Sequence, residues 1–327
     1  MNNHVKLLVG KLIGFTCCIV ILQVGMLHFI PALALSVHPY VTLLKQEIQN
    51  NPDILYFGDS VIGSYSTQDQ DQRSIAAMLQ ERLPDYKIGA VHGPGLGMDM
   101  FLAFSRYVVH QRHAQIIIVP INMRSFSLDW EGPGWGFGKE KAYLRYYDNN
   151  EMFRLFFRAL TVFKAFEPGP TAEYEYENRV VFSDSKPIGR VKDIRWNILG
   201  SLTRDRQKVL SYYYMYSLTP EHRFVKDMLE LANLLQENHI TVVFYLTPID
   251  YKSGEANLGQ KFTIRLRENT QLIKQLLISK NVPLLDLSQS LETDKFNWEL
   301  QPNEHLNEYG RMFVADELAK YIQAHHS

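Results

Sequence analysis

The sequence predicts an α/β fold: a flavodoxin-like three-layer sandwich with a five-stranded parallel sheet, a long insert after strand three, and an N-terminal transmembrane helix. Three observations predict it. Short apolar runs alternate with helical periodicity over residues 53–122 and 221–325, the pattern of strands covered by helices on both faces. The interval 123–220 breaks that alternation and far exceeds an ordinary connection. Residues 12–35 carry no charge and make about 36 Å of helix, enough to cross a bilayer with tilt.

Lys6 and Lys11 precede that uncharged run, and no basic residue follows until Lys45. The positive-inside bias then leaves the N-terminus in the cytoplasm and the remainder outside. A cleaved signal peptide ending at Ala32-Leu33-Ala34 is the competing expectation, but the apolar run is long for one. The expected division is a cytoplasmic N-terminus and anchor over 1–36, then a single domain over 37–327 containing the insert 123–220.

Residues 38–50 read as a short helix leading into the domain. Strand one is 53–58. A helix follows near 73–83, with Ile75, Leu79 and Leu83 at helical spacing. Strand two is 86–91. The next helix, 98–111, carries Met98, Phe101, Leu102, Phe104 and Val108. Strand three is 115–121. A helix at 221–237 precedes strand four, Ile240 to Leu246, and a helix at 261–280 precedes strand five, Val282 to Leu287. A final helix spans 307–324. The expected strand order is 2-1-3-4-5, with chemistry at the carboxyl ends of the strands.

The insert holds Trp130, Trp135, Trp196 and nine tyrosines, punctuated by Gly132-Pro133-Gly134 and Pro168-Gly169-Pro170. Two expectations stand for it. It packs over the strand ends and shapes a substrate site, or its aromatics simply fill a small second core.

Composition narrows the function. The chain has 327 residues, 46% of them hydrophobic, ample for one large domain. A formal net charge of −1 gives no sign of nucleic-acid binding. The two cysteines, Cys17 and Cys18, lie in the apolar run, so the rest has neither a disulfide nor a cysteine metal site. No metal-ligand spacing or phosphate loop is visible. Gly134-Trp135-Gly136-Phe137-Gly138 lies inside the insert, not between a strand and a helix, and is no dinucleotide signature. No cofactor is expected.

The chemistry-bearing residues fall at strand ends. Ser60 ends the run Ile54-Leu55-Tyr56-Phe57-Gly58-Asp59-Ser60. Gly97 closes Gly93-Pro94-Gly95-Leu96-Gly97, and Asn122 follows Ile116 to Ile121. His305 opens His305-Leu306-Asn307-Glu308-Tyr309-Gly310 ahead of the last helix. A serine in a tight turn needs a base within hydrogen-bond reach to act as a nucleophile. Asp59 is expected to shape that turn. His92, His110, His113 and His239 read as structural or exposed. Arg124 reads as a solvated loop residue, or as one meeting an anionic substrate.

This order of Ser60, Gly97, Asn122 and His305 resembles the SGNH (GDSL-like) hydrolase superfamily over about 50–122 and 221–325. The resemblance implies Ser60 as nucleophile and His305 as base. It implies Gly97 and Asn122 as oxyanion donors beside the N–H of Ser60 itself. In membrane-anchored relatives it implies ester hydrolysis or O-acyl transfer on cell-surface glycans or polymers. The partners so implied are an acyl ester substrate, the membrane and a multi-pass membrane acyltransferase. One departure stands out. The family's aspartate three positions before the histidine is Pro302 here. Glu304, Glu299, Asn303 or a backbone carbonyl remain to orient His305. Without an orienter, the site is a Ser–His dyad or the domain is a catalytically inactive binding or assembly module.

Overall fold

A computed structural model of the chain describes residues 3–29, 39–111, 114–132, 137–147, 170–183, 186–194, 206–297 and 304–326. In chain order the elements are α1 (Asn3–Phe29), α2 (Pro39–Gln49), β1 (Ile54–Gly58), α3 (Ser60–Gly63), α4 (Ile75–Arg82), β2 (Ile88–His92), α5 (Met98–Gln111) and β3 (Ile116–Ile121). Then come α6 (Gly138–Ala142), α7 (Pro170–Glu177), β4 (Val180–Ser183), β5 (Lys186–Arg190), α8 (Arg206–Tyr214) and α9 (Arg223–Glu237). The remainder is β6 (Thr241–Leu246), α10 (Tyr251–Leu258), α11 (Lys261–Ile278), β7 (Leu284–Asp286) and α12 (Glu308–His326). The chain divides into two compact units, Met1–Leu43 with Phe137–Glu167, and Leu44–Gly136 with Pro168–Ser327.

In the first unit, α1 is a 27-residue helix. Its segment Val5–Leu22 is long and apolar enough to cross a membrane, and none of it is buried. The Thr16 hydroxyl donates to the Leu12 carbonyl at 2.9 Å, so the helix satisfies its own polar side chain there. The helix begins before the predicted span at 12, which puts Lys6 and Lys11 within its first turns rather than ahead of it. Ala32-Leu33-Ala34 lie outside the described residues.

The second unit is built on a five-stranded parallel sheet of order β2-β1-β3-β6-β7. That is the expected 2-1-3-4-5. β1 and β3 are buried along their whole length, as Ile54-Leu55-Tyr56-Phe57 and Ile116-Ile117-Ile118-Val119 demand of strands with a helix on each face. On one face Ile54, Tyr56, Ile118 and Tyr245 pack with Ile75 and Leu79 of α4 and with Val314 and Leu318 of α12. On the other, Phe57 meets Phe101 and Phe104 of α5 at ring separations of 6.2 and 5.5 Å. The buried Tyr56 and Tyr245 hydroxyls satisfy each other at 2.6 Å.

Pairing between β1 and β3 stops at Tyr56 and Ile118, while β3 stays paired with β6 to Ile121. Pro120, which has no N–H to give, lies in that stretch. The strands therefore part at their carboxyl ends, next to Asp59, Ser60 and Asn122. This is the switch point of the sheet, where open α/β folds place their chemistry.

The departures from expectation are local. The fifth strand is only Leu284–Asp286, because Asn281 turns the chain at φ 55 and Val282 N–H donates to Leu277 O. The unexpected α10 is capped by Asp250, whose side chain accepts from Ser253 N–H at 2.9 Å, and it ends at Gly259 with φ 74. The insert contains the antiparallel hairpin β4–β5. Trp130, Tyr176, Tyr212, Tyr213 and Tyr214 are buried; Trp135 and Trp196 lie outside the described residues.

Candidate active site

β1 delivers Ser60 to the edge of the sheet. A Cβ on Gly58 would lie 2.0 Å from the Ile62 side chain, so only glycine allows α3 to turn back so closely. Asp59 caps α3, its Oδ1 accepting from Val61 N–H at 2.9 Å. Ser60 is the first helical residue and remains partly exposed. Among the described residues its N–H has no hydrogen-bond partner.

The segment before α12 brings His305 to it. His305 Nε2 lies 3.1 Å from Ser60 Oγ. Leu306 bridges to Phe296 in antiparallel fashion and is buried in the sheet core. Asn307 Oδ1 accepts from Gly310 N–H at 3.1 Å and its Nδ2 donates to Asp294 O at 2.7 Å. A Cβ on Gly310 would stand 2.6 Å from the Lys295 carbonyl, so glycine lets α12 meet that backbone. Each recognisable residue of the His-Leu-Asn-x-x-Gly run thus has a local task.

His305 is 3% exposed. Burial, helped by the positive charge of Arg124, pushes its pKa down to about 3. The imidazole is therefore neutral near pH 7, the form a general base requires. Its Nδ1 has no hydrogen-bond partner among the described residues.

Asn122 and Gly97 line one small cavity of about 10 Å³ together with Asp59, Leu96 and Phe101. Asn122 Nδ2 donates to Asp59 Oδ2 at 2.8 Å, and its Oδ1 accepts from Arg124 N–H at 3.0 Å. With one carboxylate oxygen on Val61 and the other on Asn122, Asp59 shapes the turn, as expected. Burial raises its pKa, against the pull of those bonds. The Gly97 carbonyl accepts from Met100 and Phe101 N–H, both at 3.0 Å. Among the described residues its own N–H is without a partner.

Behind these residues lies a buried charge pair. Arg124 Nε is 2.6 Å from Glu304 Oε1, with side-chain exposures of 7% and 0%. Tyr214 donates to the other Glu304 oxygen at 3.1 Å. The guanidinium sits 5.6 Å from the Trp130 ring and 5.4 Å from the Tyr213 ring. Burial pushes the Glu304 carboxyl up to about 7, against the pull of Arg124.

This pair corrects two expectations. Arg124 is neither solvated nor open to an anionic substrate. Glu304 does not orient His305, because its oxygens face Arg124 and Tyr214, and an unpaired guanidinium at that depth would be costly. Glu299, Pro302 and Asn303 lie outside the described residues.

Of the other histidines, His110 and His239 are exposed and His113 is outside the described residues. His92 is half-buried and packs against α3, where a Cβ on Gly63 would meet its ring at 2.5 Å. Burial lowers its pKa, with Asp59 pulling the other way. Among the described residues no group of three or more His, Cys, Asp or Glu could hold a metal ion. A wide polar hollow of about 600 Å³ lies elsewhere, lined by Arg267, Thr270, Asp286 and Ser288 among others.

No family model matches the sequence, and no curated protein matches it. Among solved structures, an acetylxylan esterase from Geobacillus stearothermophilus is similar at 12% identity, with 82% of this chain and 93% of that chain covered and a TM-score of 0.37. An α/β hydrolase enzyme from the metagenome of Lake Arreo, Spain, is similar at 10% identity, with 84% and 96% covered and a TM-score of 0.41. The resemblance to SGNH hydrolases is carried by Ser60, Gly97, Asn122 and His305 and by the sheet edge that holds them.

Proposed function

We propose that the chain is a serine-dependent enzyme of acyl esters. The observation that supports it is the 3.1 Å contact of His305 Nε2 with Ser60 Oγ at the switch point of a parallel sheet. In this reading the neutral imidazole takes the Ser60 proton as Oγ attacks the ester carbonyl carbon. The N–H groups of Ser60 and Gly97 and the Asn122 amide receive the oxyanion. His305 returns the proton to the departing alcohol, leaving an acyl-Ser60 intermediate. Water then gives an esterase; a sugar hydroxyl gives an O-acyltransferase.

The wider setting belongs to the same proposal. The apolar α1 anchors the chain in a single pass with the N-terminus in the cytoplasm, and the domain acts outside on a cell-surface glycan, polymer or lipid. A multi-pass membrane acyltransferase is the partner that would supply acyl groups there. A second reading, a binding or assembly module without turnover, is favoured by one observation. His305 Nδ1 lacks a partner among the described residues, and an unoriented imidazole is a weak base.

A fluorophosphonate probe decides between them. Covalent labelling of the wild type that Ser60→Ala abolishes, with the variant still folded, supports the enzyme. No labelling leaves the binding module, and labelling undiminished in Ser60→Ala removes Ser60 from the chemistry.

A further inference from the structure

We propose that Arg311 is a positioning residue. Its buried guanidinium holds the segment after Ser60 and the residue after His305 in one fixed arrangement. The inference rests on reading Ser60 and His305 as the reacting pair.

Arg311 belongs to the first turn of α12 and is 0% exposed, among the largest fully buried side chains. A buried guanidinium must find acceptors for its donors, and this one finds them on both sides of the site. Nε donates to Arg73 O at 3.0 Å, and Nη2 donates to Asp71 O. Nη1 reaches Ser64 O at 3.2 Å, Leu306 O at 2.9 Å and Asp69 Oδ2 at 2.8 Å. Asp69 supplies the balancing charge and also accepts from Ser66 N–H at 3.0 Å.

The acceptors are not scattered. Ser64, Asp69, Asp71 and Arg73 lie on the stretch between α3 and α4, which has neither helix nor strand to satisfy its carbonyls. Ser64 is the C-cap of α3, and its N–H donates to Ser60 O at 2.9 Å. Leu306 directly follows His305. A single nitrogen, Nη1, therefore joins the residue that closes the nucleophile's turn to the residue that follows the base. Glu308, also in the first turn of α12, adds a second strap, its Oε2 accepting from Asp71 N–H at 2.7 Å.

The chemistry calls for arginine. A planar fork of five N–H groups serves acceptors in several directions, whereas a lysine ammonium presents three from one point. Displacement of a reacting group by about 1 Å costs on the order of a hundredfold in rate, so loosening this tie should appear in turnover before it appears in substrate affinity.

The test compares wild type, Arg311→Lys, Arg311→Met and Glu308→Ala on an aryl acetate and a fluorophosphonate probe, with Tm and circular dichroism on each. For folded Arg311→Lys the expectation is a kcat lower by about ten- to a hundredfold with KM changed less than about twofold. Arg311→Met should lose more, and Glu308→Ala, which frees one strap only, should lose less. A folded Arg311→Lys with wild-type kcat overturns the proposal. If neither Arg311 variant folds, Glu308→Ala carries the test, and wild-type kcat there overturns it.

Hydrogen exchange reads the tie without turnover. In Glu308→Ala, and in Arg311→Lys where it folds, the amides of Ser64 and Asn307 should lose protection together while Ile117 and Val243 keep theirs. Unchanged exchange, or loss spread over the whole sheet, overturns the positioning role. A wild type that neither labels nor turns over an ester overturns the enzyme reading instead, and the exchange result still decides whether Arg311 ties the two segments.

Discussion

Two buried arginines serve the same sheet edge by different chemistry. Arg311 spends its donors mainly on backbone carbonyls and is balanced by Asp69. Arg124 faces a carboxylate and two aromatic rings. They grip opposite neighbours of one residue, Arg311 holding Leu306 and Arg124 holding Glu304, with His305 between. An imidazole whose Nδ1 has no partner among the described residues is thus held through its chain on both sides. The two grips differ in their response to pH. Carbonyl acceptors do not titrate, whereas the Glu304 carboxyl does so at about 7.

Removing Arg124 should have the largest effect. Arg124→Met leaves Glu304 buried without its counter-charge, a change that typically costs about 3–5 kcal/mol. Urea unfolding at pH 8 should show that loss. The double variant Arg124→Met/Glu304→Leu should recover a substantial part of it, because replacing both charges by apolar side chains is often neutral. A double variant no better than the single one would mean that the pair's geometry, not its charge balance, holds the edge.

Asn122→Ala tests the donor that Arg124 helps to place through its backbone N–H on Asn122 Oδ1. Loss of one oxyanion donor typically costs about a hundredfold or more in kcat, or about 3 kcal/mol. KM should change much less, because the donor acts where charge develops. An effect confined to KM would assign Asn122 to ground-state binding.

How much of this edge was legible in the sequence follows from how local each feature is. Ile54–Phe57 and Ile116–Ile121 announce strands buried on both faces, and the order of the sheet followed from them. Gly58-Asp59-Ser60 and His305-Leu306-Asn307 up to Gly310 were legible because several of these residues answer a demand within a few positions, as Asp59 does for Val61 N–H and Asn307 for Gly310 N–H. The arginines were not. Arg311 lies in a helix, and all its acceptors but Leu306 O lie more than two hundred positions earlier. Arg124 and Glu304 meet only through the sheet, so the sequence alone pairs Glu304 with its neighbour His305. α10 escapes notice because Gly254 interrupts it. A Cβ there would meet Phe262 at 2.2 Å, a packing reason visible only in three dimensions.

Glu304→Gln isolates the titrating grip. The Glu304 carboxyl is raised from its ordinary 4.5 to about 7. Between those values the unfolded chain releases the proton and the folded chain keeps it. The contribution of Glu304 is therefore fully present below 4.5 and is lost as pH rises through 7, by up to about 3 kcal/mol. The amide of the variant cannot titrate, so the stability advantage of wild type over Glu304→Gln should shrink from pH 5 to pH 8. Arg311→Lys, held by carbonyls, should differ from wild type by the same amount at both values. A gap that widens for Glu304→Gln would reverse the assignment of the shift.

His305 supplies a kinetic counterpart. With its pKa pushed down to about 3 by burial and then by Arg124, the acid limb of kcat/KM should fall well below the 6.5 of an ordinary histidine. Arg124→Met removes the second of those causes, so its acid limb should move upward. Arg311→Met should leave the limb in place while lowering the plateau, since Arg311 is not among the groups that shift His305. Equal displacement in both variants would mean that the two grips act on the base through burial alone.

The smallest expected effect comes from a change at the same edge that touches neither arginine. A Cβ on Gly97 would find only Asp99 Oδ1, at 3.6 Å, which is ordinary contact distance. Its φ is not in the left-handed region, unlike that of Gly95 at 84. Gly97→Ala should therefore leave stability within about 0.5 kcal/mol, and its backbone N–H stays available to an oxyanion. Hydrolysis of a small aryl ester should fall by no more than about threefold, set against the larger losses above. The informative outcome is a loss of about a hundredfold, as for a missing oxyanion donor, with Tm unchanged. That would place the reacting carbonyl closer to Gly97 than a methyl group allows, and would make the approach of the substrate, not the hold on His305, the tighter constraint at this edge.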